Sequence, residues 1–81
     1  MPKLFEWSGY KFFFFSNEGN PLEPCHVHIR KGDATAKFWL VPEIRLAKAY
    51  SMSSQELKRL EGVVLQNSEM LKEKWNEYFG I

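Results

Sequence analysis

Residues 25–40 read CHVHIRKGDATAKFWL, alternating in character on both sides of Gly32-Asp33. Nothing else in the chain constrains the fold as much. A period of two is the signature of a half-buried strand. Gly32-Asp33 suits a two-residue hairpin turn, although the order Asp-Gly is commoner there. With that turn, Arg30 faces Thr35, His28 faces Lys37 and His26 faces Trp39. Directly opposed residues share a face, so these six side chains lie together. Val27, Ile29, Ala36, Phe38 and Leu40, joined by Cys25, form the opposite face, which is apolar and suited to packing against helices. A slip of one residue would exchange the two faces, so everything said of this hairpin depends on its register.

The flanking segments extend the pattern. Leu4 to Trp7 is a short strand, Ser8-Gly9 a tight turn, and Tyr10 to Ser16 a second strand. Within it Phe12 and Phe14 take one side, and Phe13 and Phe15 the other. Both sides need cover, or one becomes an exposed aromatic platform. Asn17 to Pro21 is a loop, which Pro24 ends because proline biases Glu23 toward extended backbone. Ala34 to Val41 is the fourth strand. Pro42 interrupts it, and Glu43 to Ala47 extends the sheet weakly before a link over Lys48 to Met52.

The second part of the chain is helical. Ser53 and Glu56 match a capping box. Leu57, Leu60, Val64, Leu71 and Trp75 then form one apolar stripe. Asn67-Ser68-Glu69 interrupts it, which predicts a kink or a second helix. Gly62 is costly inside a helix and suggests close packing on the sheet. Tyr78 and Phe79 anchor the end, and Gly80 serves as C-cap. The expected fold is α+β. A small antiparallel sheet of three to five strands over residues 3–47 is packed on one face by one kinked or two consecutive helices over 53–79.

With 81 residues the chain makes a single domain, 1–81. Domains of this size bury only about 60% of the surface their unfolded chains expose, which favours a shallow site over a deep one. A hydrophobic fraction of 44% excludes disorder. Eleven basic residues against ten acidic ones give a net charge of +1, so no global field selects nucleic acid or membrane. Cys25 is the single cysteine, which excludes an internal disulfide and a C-x-x-C metal site. The longest apolar run, Phe12 to Phe15, is too short to span a bilayer, and the N-terminus lacks a secretory core. A soluble cytoplasmic protein with no membrane partner is expected.

The candidate binding surface is therefore His26, His28, Arg30, Lys37 and Trp39. Three uses suit these groups. Arg30 and Lys37 could hold phosphate while Trp39 stacks. His26 and His28 could act as acid and base in metal-independent RNA cleavage, with Arg30 and Lys37 stabilising phosphate charge. The two imidazoles could chelate a metal, but the third ligand would have to be Glu23, and Lys37 opposite His28 would repel a cation. A solvated sheet face carrying Lys, Arg, His and Thr without any ligand is the plain alternative. So is a face that buries against another chain, since aromatics and arginine dominate interface energetics. No cofactor motif or metal set is evident, and the residues favour an interaction module over an enzyme.

The segments GYKFFFFSNEGNPLEPCHVHIRKG, AKFWLVPEIRLA and WNEYFG resemble a small bacterial family, domain of unknown function 4160. Its most specific element is a P-x-H-x-H run, here Pro24, His26 and His28. Ala36-Lys37-Phe38 and the Trp75 to Phe79 helix end reinforce the likeness. The family has no established reaction. The resemblance implies a cytoplasmic member of a toxin–antitoxin-like pair. Its partner would be a small protein encoded nearby, of domain of unknown function 2442, and RNA or DNA a further target. An acidic residue usually follows the Trp-Leu pair in this family. Val41 stands there instead, which weakens any scheme needing a carboxylate at that place. The Lys48 to Met52 link also lacks an expected glycine.

Overall fold

The computed structural model describes residues 3–15 and 23–80. Five strands form one antiparallel meander, each paired with its neighbours in sequence. They are β1 (Lys3–Trp7), β2 (Tyr10–Phe13), β3 (His26–Lys31), β4 (Ala34–Trp39) and β5 (Arg45–Tyr50). Two helices follow, α1 (Ser54–Gln66) and α2 (Ser68–Phe79). The fold is α+β, as expected.

The β3–β4 hairpin has the expected register: Arg30 opposes Thr35, His28 opposes Lys37 and His26 opposes Trp39. Gly32 supplies the positive φ that its turn requires, at 60°. Leu40 N–H donates to Cys25 O at 2.8 Å, carrying the pairing one step beyond the strand ends. On the other side of β3, Lys11 opposes Arg30, Phe12 opposes Ile29 and Phe13 opposes His28. The alternation of the phenylalanines follows from this. Phe12 and Phe14 are fully buried in the core with Val27, Ile29, Phe38 and Leu40, whereas Phe13 and Phe15 lie on the outer face.

The helices cover the inner face with the expected stripe. Leu60, Val64, Leu71 and Trp75 are buried, and Val63 joins them. Ser53 caps α1 reciprocally: its hydroxyl accepts from Glu56 N–H at 3.1 Å, and the Glu56 carboxylate accepts from Ser53 N–H at 2.9 Å. Asn67 separates the helices, and its side-chain amide donates to Val63 O at 2.8 Å. Gly80 closes α2 in the left-handed conformation. Trp75 packs edge-on to Phe14 at 5.2 Å and against Phe79 at 4.2 Å. No helix among the described residues is long and apolar enough to cross a membrane.

Several expectations need correction. Strand β4 stops at Trp39 rather than Val41. The sheet does not end at residue 47, because β5 runs to Tyr50, through the first part of the expected link. Its register against β4 shifts between Lys37 and Phe38, where one extra β5 residue is accommodated. Strand β2 ends at Phe13 rather than Ser16, and Ser16 and the Asn17 to Pro21 loop lie outside the described residues. Gly62 does not mark close packing: a Cβ built there meets nothing within 4 Å.

Candidate functional site

The pairing of five strands carries the outer face well beyond the β3–β4 hairpin. One row across the sheet reads Glu6, Lys11, Arg30, Thr35 and Tyr50. The next reads Lys3, Phe13, His28, Lys37 and Lys48. A third places His26, Trp39 and Arg45 in line. Directly opposed residues point to the same side of a sheet. Lys3, Lys11, Arg30, Lys37, Arg45 and Lys48 therefore converge on one face, in a chain whose net charge is only +1.

At the centre of this face lies a concavity of about 210 Å³, lined by Phe13, Phe15, His28, Arg30, Lys37 and Lys48, with Thr35 at its edge. A smaller one of about 170 Å³ lies between Lys3, Lys11, Phe13 and Arg30. The His28 ring stacks on Phe13 at 5.7 Å and meets Phe15 edge-on at 4.4 Å. Arg30 lies 6.0 Å from the Phe13 ring centre.

Charge on the face is unevenly compensated. Lys37 lies 4.4 Å from the Trp39 ring centre and 3.3 Å from a Glu23 oxygen, with its side chain only 14% exposed. Lys3 pairs with Glu6 at 2.7 Å, which pulls the Glu6 carboxyl below its usual value. Arg45 lies 3.8 Å from Glu43. Arg30 and Lys48 have no ion-pair partner among the described residues.

Four of the five expected surface residues take the expected place. His28, Arg30, Lys37 and Trp39 lie on the outer face. His26 does not reach solvent: it is 0% exposed. Its ring sits 4.9 Å from Trp75, 5.4 Å from Trp39 and 5.0 Å from His28. The physical reason is that α2 reaches the end of the sheet, so Trp75 closes over the start of β3. His26 Nδ1 donates to Pro24 O at 2.7 Å, because a carbonyl oxygen can only accept. The pair of solvent-facing imidazoles required by an acid–base scheme is therefore absent from this surface. Among the described residues no group of three or more His, Cys, Asp or Glu side chains is arranged to hold a metal. Glu23, the expected third ligand, is turned to Lys37.

Cys25 is half-buried, and desolvation raises its thiol to about 11. It is a packing residue rather than a nucleophile, since the reactive form is the thiolate.

Arg45, Lys48 and Tyr50 join this face only through β5, a segment whose sequence reads as a weak extension followed by a link. The signal was present in RLAKAY, where Lys48 and Tyr50 are two apart. Pro42, which reads as a strand break, masks it.

A family model described as "Domain of unknown function (DUF4160)" matches residues 9–76. No curated protein and no solved structure shows significant similarity to the chain. The matched segment spans β2 to β5, all of α1 and α2 as far as Asn76, and so contains the central concavity and the His26–Trp75 contact behind it. On that coverage the chain belongs to the DUF4160 family.

Proposed function

We propose that this protein is a non-enzymatic binding module that holds nucleic acid on its outer sheet face. One observation carries the reading. Six basic side chains, Lys3, Lys11, Arg30, Lys37, Arg45 and Lys48, share a face with Phe13, Phe15, His28, Trp39 and Tyr50. Phosphates are attracted by such a cluster of cations, and bases by the aromatic surface between them. The burial of His26 counts against the alternative of a ribonuclease with two imidazoles at work.

The test is binding of a fluorescently labelled short RNA pool at several salt concentrations. Neutralising three or four phosphates predicts a slope of about −2 to −3 in log K against log salt. Replacing Arg30 and Lys48 together by glutamine should weaken binding about tenfold or more at low salt. No binding by the native protein, or equal binding by the double variant, would remove the proposal.

A second reading is supported by β5. This strand lies at the sheet edge, and all six of its residues are exposed. Open edges can accept an added strand. A small partner protein of domain of unknown function 2442 added there would make the chain one half of a toxin–antitoxin-like pair. Co-expression should then yield a complex on gel filtration that Leu46→Lys disrupts. Separate elution of the two proteins would rule this out.

A further inference from the structure

Two aromatic rings outside the core cluster flank the cations of the outer face. Phe15, just beyond β2, is 37% exposed and lies against His28. Tyr50, at the end of β5 and opposite Thr35, is 69% exposed. Strands β3 and β4 lie between them, so the two residues stand about three strand spacings apart, roughly 14 Å, across the sheet. They are also offset along it, because Tyr50 is in the Arg30–Thr35 row whereas Phe15 lies beyond Phe13 of the His28–Lys37 row, which makes the path between them a diagonal one. Arg30, Lys37 and Lys48 occupy the interval, around the central concavity.

We infer that the ligand is single-stranded nucleic acid running across the strands, from β2 toward β5. One base lies against Phe15 and His28, another stacks on Tyr50, and the intervening phosphates pass over Arg30, Lys37 and Lys48. This rests on the nucleic-acid reading above and narrows it. A duplex keeps its base faces inside its own stack, so it could use the cations but not the rings. Only unstacked bases offer a π-face to an aromatic side chain. A large ring held mostly in water at the far edge of a cationic face has a physical use under single-strand binding and none under duplex binding.

The experiment compares native protein, Tyr50→Ala and Phe15→Ala by fluorescence anisotropy. The probes are one single-stranded RNA of mixed sequence and its perfect duplex, at one low salt concentration. Folding of each variant is checked by amide NMR. The native protein should prefer the single strand. Each variant should lose about tenfold affinity for it, the scale of one stacked base, while duplex binding changes little. Tyr50→Phe should retain native affinity. Equal binding of both RNA forms, or a preference for duplex, would overturn the inference and leave the charge-based reading standing. A preference for single strand that Tyr50→Ala does not weaken would overturn the crossing path. Failure to bind either form would remove the nucleic-acid reading itself.

Discussion

The indole of Trp75 lies 4.9 Å from the imidazole of His26, centre to centre, so the second helix is tied to the first residue of β3. His26 is in this sense a core residue, with a polar bond to Pro24 O. His26→Ala should open a cavity and lower stability by about 2–4 kcal/mol. That is a large share of the 5–15 kcal/mol or so typical of a whole domain. His28→Ala, at a half-buried position, should cost clearly less. Urea unfolding of both variants checks this, and equal losses would contradict the packing role given to His26.

Glu56 links the start of α1 to the sheet, accepting from Ser53 N–H and from Tyr10 Oη–H at 2.7 Å. The Ser53 backbone bond and the Tyr10 bond hold its carboxyl below the usual value, and the same Tyr10 bond raises the tyrosine. Because the folded value of Glu56 is depressed, its stabilisation is present above the unfolded carboxylate range. It is lost as pH falls through the folded value. Glu56→Gln should therefore flatten the decline in urea midpoint between about pH 7 and pH 3. For Tyr10 the sign is reversed: its contribution holds below the unfolded phenol range and disappears as pH rises through the raised value. Tyr10→Phe should flatten the alkaline limb. Unchanged pH profiles would show that this bond does not couple the cap to β2.

Gly62 lies inside α1, with open space where a side chain would stand. Gly62→Ala should raise stability by about 0.5–1 kcal/mol, by removing backbone freedom from the unfolded chain. The melting temperature should rise by roughly 2–8 °C. A loss of stability instead would mean that the glycine has a packing role.

Cys25 gives a test of local opening. Desolvation raises its thiol from 9.0 to about 11, which leaves roughly a hundredfold less thiolate at mildly alkaline pH. Native protein should react with a maleimide or disulfide reagent far more slowly than unfolded protein. Equal rates would show that the start of β3 opens readily.

The β3–β4 hairpin was legible because both of its strands alternate without interruption around one turn, so turn position alone sets every pair from His26–Trp39 to Lys31–Ala34. The α1 cap and the break at Asn67 were legible for a similar reason, since each depends on residues within a few positions. His26 was not. Its alternation assigns it to the face of His28, and its burial there involves Trp75 of α2, a tertiary contact that alternation does not reveal. The joining of Lys3 and Lys11 to Lys48 was equally hidden. It requires the β1–β2, β2–β3 and β4–β5 registers, the first shifted by an irregularity between Lys3 and Phe5 and the last by one between Lys37 and Phe38.

The meander has a consequence for synthesis. Each strand finds its partner in the segment made just before it, so the sheet can assemble as the chain leaves the ribosome, one hairpin at a time. The cover for Phe12, Val27, Ile29 and Phe38 is translated afterwards, and Trp75 belongs to its second helix. Until that helix docks, the nascent sheet presents a continuous greasy face between two open edges. A chain broken between β5 and α2 would leave that face without the cover of Trp75, which makes α2 the element that closes the core.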